Sequence, residues 1–393
     1  MKILFLAPHP FYQERGTPIA VDLLLRSLSA AGHEVDLITF NEGSDREYSG
    51  VTTYRIRPLG NIVGVMPGFS LKKLYLDIFV FFRFLSLFIR RRYDVVHAVE
   101  ESVYMAALIC PLKRTPYIYD MDSSMVTQLV DQHQNLGMIE GLLRFIESIP
   151  ARFADIVVPC CDALVEDIDQ YRDRDRKPVF VLKDISLLDK HATAPSSGVD
   201  IRGLVSADRA KNGERQKVVM YIGNLESYQG IDLMLEGFAA ACNVSAALNL
   251  VIVGGEQQHI GQYRAKAEHL GVSNRVFFLG KQPVSDLYAL MLQSDLLLSP
   301  RIQGVNTPMK VYSYLDSGVP VVATRLPTHT QVMTDDIAKL VDATPEGIRD
   351  GIVGLIDNPA AYENLAKTAL DFIREYHSFE AFDRRVNEIY AAL

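Results

Sequence analysis

At 393 residues the chain is too long for one ordinary hydrophobic core, and two domains are expected. Its 48% hydrophobic and 22% charged residues are the balance of a globular protein in water, and a formal charge of −8 argues against a general nucleic-acid binder. The four cysteines, Cys110, Cys160, Cys161 and Cys242, show no metal-ligand spacing and read as thiols of a reducing compartment. The opening Met1–Ala7 is apolar only briefly before Pro8-His9-Pro10, so it reads as a first strand rather than a signal peptide. No segment has the roughly 18 uninterrupted apolar residues that cross a bilayer, and a cytoplasmic location is expected.

Strand-like runs recur along the first half at Lys2–Ala7, Glu34–Thr39, Val51–Ile56, Asp94–Ala98, Tyr117–Tyr119, Asp155–Val158 and Val179–Leu182. Helical patterns such as Ile19–Ala31 and Met138–Ala154 fall between them, and this alternation predicts βαβ units on a parallel sheet. The loop after the first strand, Tyr12-Gln13-Glu14-Arg15-Gly16-Thr17-Pro18, offers a close backbone approach at Gly16 and a helix cap at Thr17. It is not a Gly-x-Gly-x-x-Gly fingerprint, so a dinucleotide site is poorly supported. The loop either faces a cleft, contacting an acceptor or part of a donor, or is a plain turn.

Residues 61–92 carry Lys72, Lys73, Arg83, Arg90, Arg91 and Arg92 against one acid, Asp77, in a chain that is acidic overall. Between these charges lie Phe69, Phe79, Phe81, Phe82, Phe84 and Phe88. Such a basic, aromatic-rich helix can lie on an anionic membrane surface through Lys72, Lys73, Arg90, Arg91 and Arg92, or be a core helix with a solvated basic end. Next, Glu100 and Glu101 follow the strand that carries His97, and Asp120 and Asp122 end the following one. Acids at the carboxyl edge of an open α/β sheet can orient sugar hydroxyls or serve as a base. Metal binding by the Asp-x-Asp is not expected, and His97 can be a core or an acceptor-site residue.

Residues Asp184–Gln216 break the rhythm with Ala194-Pro195-Ser196-Ser197-Gly198 and the charged run Asp208–Arg215, which suits a linker or insertion. Beyond it, Val218–Ile222 ends in Gly223-Asn224, Leu248–Val253 in Gly254-Gly255, and Val276–Leu279 in Gly280-Lys281. Each glycine sits where a diphosphate can approach the backbone. The strand Leu296–Leu298 then runs through Arg301, Asn306 and Thr307 into Pro308, Met309 and Lys310, with Gly318 closing the helix. Pro308 suits a first helical turn that Asn306 or Thr307 caps, and the free amides there, with Lys310 beside them, suit an anion. The tail Thr344–Leu393 is helical, with amphipathic segments at Ala366–Tyr376 and Phe379–Leu393.

These residues resemble the GT-B glycosyltransferases of family 4. The likeness rests on Pro8-His9-Pro10, Arg15-Gly16-Thr17-Pro18, Gly223-Asn224-Leu225 with Gly230-Ile231-Asp232, Val253-Gly254-Gly255, and Pro308 with Gly318–Thr324. The resemblance implies an α/β GT-B fold of two Rossmann-like parallel-sheet domains facing a central cleft. On this view residues 1–190 form the acceptor domain, 191–216 the linker and 217–375 the nucleotide-sugar domain, while 376–393 form a helix packing back on the first domain. It implies retaining transfer from a UDP- or GDP-sugar to a lipid-linked or polysaccharide acceptor, without a cofactor or obligatory metal. The expected catalytic set is Glu100, Glu101, Asp122, Arg301 and Lys310. Donor and phosphate contacts are expected from Gly16, Thr17, Gly223, Asn224, Gln229, Gly254, Gly255, Gly280, Lys281 and Asn306–Lys310, and acceptor contacts from Arg15, His97 and Asp120. The chain departs from the family where Val305 and Ser313 replace a glutamate pair, Gln229 a lysine and Val99 a histidine. These departures leave two alternatives open, a non-catalytic GT-B partner subunit and a GT-B UDP-sugar epimerase.

Overall fold

The computed structural model describes residues 1–60, 62–65, 70–124, 126, 140–169, 177–190, 194–206, 215–245 and 247–393, apart from the side chains of residues 359 and 361. Phe69, the first two residues of the expected helix Met138–Ala154, most of the run Asp208–Arg215 and part of the 191–216 segment lie outside the described residues.

Aliphatic and β-branched runs form two six-stranded sheets in which every pairing is parallel. The first holds β1 (Lys2–Ala7), β2 (Glu34–Thr39), β3 (Val51–Arg55), β4 (Val95–Val99), β5 (Tyr117–Met121) and β6 (Ile156–Pro159), in the order β3-β2-β1-β4-β5-β6. Its helices are α1 (Gly16–Ala30), α2 (Leu71–Arg90), α3 (Ser102–Ile109), α4 (Glu140–Phe153) and α5 (Asp162–Asp169). The interior strands are buried on both faces, as helix-covered parallel strands must be, whereas the edge strand β3 is half-exposed.

The second sheet repeats the plan. After α6 (Ile201–Ser206) come β7 (Lys217–Ile222), α7 (Ile231–Cys242), β8 (Leu248–Val253), α8 (Gln257–His269), β9 (Val276–Gly280), α9 (Leu287–Met291) and β10 (Leu296–Ser299). There follow α10 (Lys310–Asp316), β11 (Val321–Thr324), α11 (Pro327–Thr330), β12 (Lys339–Val341), α12 (Pro345–Ile356), α13 (Pro359–Tyr376) and α14 (Phe379–Ala391). The order is β12-β11-β10-β7-β8-β9. In both sheets the winding reverses at the first strand, between β1 and β4 and between β7 and β10. The carboxyl ends of those strands frame the crevice where open α/β sheets bind ligands.

The chain divides into Met1–Lys183 with Phe382–Leu393, and Asp184–Ala381. Residues from Asp184 onward count with the second unit because Leu187 N–H donates to Ser313 Oγ (3.2 Å) and Lys190 pairs with Asp316 (2.5 Å). The Ser196 and Ser197 amides also donate to Asp286 (both 2.9 Å). Residues of α14 complete the first unit, where Ser27 Oγ donates to Asp383 (2.6 Å) and the Tyr390 ring is buried.

Three local readings need correction. Val179–Leu182 is no strand: beside β6 it makes one isolated bridge, Val179 with Val157. Helix α1 starts at Gly16 with Arg15 in the cap position, so Thr17 lies inside the first turn and caps nothing. Helix α10 starts at Lys310 behind Met309, and neither Asn306 nor Thr307 supplies a side-chain cap.

Candidate active site

On the second unit the loops after β7 and β10 meet at the winding reversal. The β10 loop is held from below: Thr324 Oγ1 donates to the Arg301 carbonyl (2.5 Å), Thr328 Oγ1 to that of Asn306 (2.7 Å), and Gln331 Nε2 to that of Val305 (2.7 Å). Buried His329 binds Ser299 (2.8 Å) and the Thr324 carbonyl (2.8 Å), and burial drops its pKa to about 4, so it stays neutral. Tyr314 on α10 accepts from the Ile222 amide (2.7 Å) and ties that helix to the end of β7.

Two cations sit in this frame. Lys310 Nζ lies 4.1 Å over the Tyr221 ring and donates to Gln229 Oε1 (3.0 Å). Arg301 lies 5.2 Å over the Tyr228 ring and donates from Nε to the Gln303 carbonyl (2.7 Å). Among the described residues neither has a carboxylate partner. Burial, then the nearby Arg301 guanidinium, pushes the Lys310 pKa well below its ordinary value. Burial likewise lowers that of Arg301. The two positions where the family resemblance implies glutamates hold Ser313 and Val305. Ser313 faces inward to the Leu187 amide, and Val305 is exposed.

Glycine is required around this pair. A Cβ on Gly223 would stand 3.2 Å from Lys310 Nζ, and one on Gly254 would stand 2.2 Å from the Gly223 carbonyl oxygen. Both have positive φ, 153° and 109°. A Cβ on Gly230 would come within 1.9 Å of the Pro300 carbonyl, so this turn locks the two loops together. Gly255 instead makes room for Leu225, and Gly280 faces open space. Asn224 reaches Tyr228 (3.3 Å), Pro308 precedes α10, and the Thr307 hydroxyl is buried with no bonding partner. Lys281 does not join the cluster: it is exposed and pairs with exposed Glu256 (2.5 Å).

On the first unit the carboxyl ends of β1 and β4 carry a second cluster. Glu100 holds a left-handed φ of 50°, a conformation strained for a side chain with a Cβ. With Glu101 it grips one lysine, Lys73 of α2, at 3.2 and 2.8 Å. Lys73 therefore does not face outward as expected for a membrane contact. Burial pushes Glu101 up to about 7, and burial followed by the Glu101 charge pushes Asp77 up to about 8. Acids raised above their unfolded values hold extra protons in the folded state. Their contribution to stability is thus full below about pH 4 and is lost as pH rises through 7 to 8. Urea unfolding midpoints should therefore fall between pH 6 and pH 9, and fall less in an Asp77→Asn variant.

His9 lies at the same edge, missed by sequence reasoning except as part of Pro-His-Pro. It is buried, its Nε2 has no hydrogen-bond partner among the described residues, and burial holds its pKa near 4. Arg15 donates to the Val65 carbonyl (3.1 Å), and Gly16 opens onto free space. Asp122 accepts at its carbonyl from Cys160 Sγ (3.1 Å). His97 is not exposed to any acceptor. Its Nε2 meets Asp120 (3.2 Å), its Nδ1 meets Tyr390 OH (2.7 Å), and its ring stacks on Phe5 at 4.3 Å. Both nitrogens are used, so His97 and Asp120 anchor the terminal helix. Arg91 also turns away from the basic set, to Asp36 (2.7 Å) and Tyr54, which leaves Lys72, Arg90 and Arg92 exposed.

Among the described residues no group of His, Cys, Asp and Glu side chains is arranged to hold a metal, and no helix is long and apolar enough to cross a membrane. The family model for glycosyl transferases group 1 matches residues 206–372, and that for a glycosyl transferase 4-like domain matches residues 15–183. A D-inositol 3-phosphate glycosyltransferase of Corynebacterium glutamicum is 22% identical over 384 residues, covering 92% of this chain and 88% of its own length. The sucrose-phosphate synthase of Thermosynechococcus elongatus superposes with a TM-score of 0.74 at 16% identity, covering 99% of this chain and 98% of that one. Anabaena Alr3699/HepE, solved in complex with UDP, gives 0.73 at 17% identity over the whole of both chains.

Proposed function

The chain is a glycosyltransferase of the GT-B, family 4 type, and we propose that it moves a sugar, with retention, from a UDP- or GDP-sugar to a lipid-linked or polysaccharide acceptor. One observation carries the reading: Lys310 and Arg301 stand at a winding reversal, half-buried, with no carboxylate among the described residues to neutralise them. Two such cations in low dielectric call for a multiply charged anion, and the close backbone of Gly223 and Gly254 suits a diphosphate.

As the bond from the sugar to the diphosphate breaks, negative charge grows on the leaving oxygen. Lys310 and Arg301 stabilise it in place of a divalent cation. The acceptor hydroxyl loses its proton to the leaving phosphate while its oxygen takes the same face of the sugar. A strong protein base is then unnecessary, which fits the engagement of His97 elsewhere. Glu100 and Glu101, fixed by Lys73, are suited to orienting acceptor hydroxyls on the first unit.

The exposed side of α2 supports this acceptor class. Leu71, Leu74, Ile78, Phe82 and Ile89 are exposed along one side, with Lys72, Arg90 and Arg92 beside them. That composition suits the inner face of an anionic membrane, where lipid-linked acceptors reside. Calorimetric titration with UDP, GDP and their sugars tests the donor half. Saturable binding of one nucleotide series is expected, and a protein that bound none would contradict the reading.

A further inference from the structure

We propose that the groove between β3 and α2 is a seat for the phosphate head group of an anionic phospholipid. The inference rests on the membrane reading of α2 and names the place on it where a lipid head is held, on residues that the donor site does not use.

The groove is open, about 830 Å³, and lined by Tyr54, Arg55, Arg57, Phe79, Phe82 and Arg83 among others. Its charge is unbalanced. Arg55 is taken up by Asp45 (2.8 Å) and by the carbonyls of Phe11 and Ser44 (2.6 and 2.9 Å). Arg57 and Arg83 have no carboxylate partner among the described residues. The Arg83 guanidinium lies 4.6 Å over the Tyr54 ring, and its Nε is buried with no acceptor among the described residues.

Charged residues such as Arg55 of β3, and Arg57 just past the strand's end, also keep an edge strand from pairing with another chain. This accounts for exposed Arg57, but not for a buried guanidinium N–H without a partner, which native structures rarely tolerate. The planar fork of arginine matches a phosphate's oxygens.

The neighbouring surface selects a lipid over a free phosphate. Phe82 lines the groove and is 62% exposed. It also belongs to the exposed apolar side of α2 with Leu74, Ile78 and Ile89. A phosphate between Arg57 and Arg83 would leave its acyl chains lying along that side. Neither the arginines nor the apolar residues are explained alone; a phospholipid uses both.

The test is sedimentation of the full chain with phosphatidylcholine vesicles, with and without about one third phosphatidylglycerol. Wild type should bind the anionic vesicles, and Arg57→Ser with Arg83→Gln should weaken that binding about tenfold or more. Arg57→Ser alone covers the case in which loss of Arg83 perturbs folding, and Arg83→Lys separates the fork from its charge. Unchanged vesicle binding by both Arg57→Ser and the double variant would overturn the proposal. So would equally tight binding of glycerol phosphate with no bilayer present, which would mark a soluble phosphate site. UDP titration of the same variants should match wild type, so failure here is distinguishable from failure of the donor site.

Discussion

Lys310→Met should weaken UDP binding by about 1–3 kcal/mol, a factor of roughly 5–150, while leaving the fold at least as stable as wild type. The two halves of this expectation have one cause. In the free protein Lys310 is half-buried with an amide oxygen and an aromatic ring for company and a guanidinium nearby, so its charged form is disfavoured. The unfolded chain holds that proton more tightly than the folded chain does. Stability therefore rises with pH from the depressed value toward the ordinary lysine value, and at neutral pH the residue is a burden on folding. Methionine removes that burden and fills much the same volume, but it gives a diphosphate no cation. Calorimetry and thermal melts on one preparation read both effects. Unchanged UDP affinity would remove Lys310 from the site.

Lys73→Met should do the reverse, destabilising the first unit by about 3–5 kcal/mol near pH 8. Lys73 is the cation shared by Glu100 and Glu101, with Asp77 close by, and all are largely buried. Removing it leaves carboxylates uncompensated in low dielectric. The folded state of the variant then prefers those carboxyls protonated, so the loss should shrink as pH falls toward 5. Urea titrations at pH 5 and pH 8 measure this. An equal loss at both values would mean that Lys73 matters for packing rather than for charge.

Much of the scaffold was legible because its signal is local. Lys2–Ala7, Glu34–Thr39 and Leu248–Val253 were readable to the residue, since a buried parallel strand is a short apolar run with polar or glycine ends. Val179–Leu182 has the same composition but joins β6 by one isolated bridge, and composition does not show where a sheet stops. The direction of Lys73 was in fact written in the sequence. It shares the spacing of Leu76, Val80, Phe84 and Leu87, the buried stripe of α2. Counting charges along residues 61–92 hid what their periodicity showed. The partners of Lys310 were not legible. Tyr221 and Gln229 come from the β7 end and the turn after it, joined to α10 only by the winding of the sheet. His97 looked equally suited to core and site, and only the return of Tyr390 on α14 decides for the core.

The most direct test is a crystal structure of the protein with UDP bound. The account predicts the β-phosphate against Lys310 Nζ and Arg301, beside the backbone of Gly223 and Gly254. A diphosphate bound elsewhere, with Lys310 still turned to Gln229 and Tyr221, would contradict it.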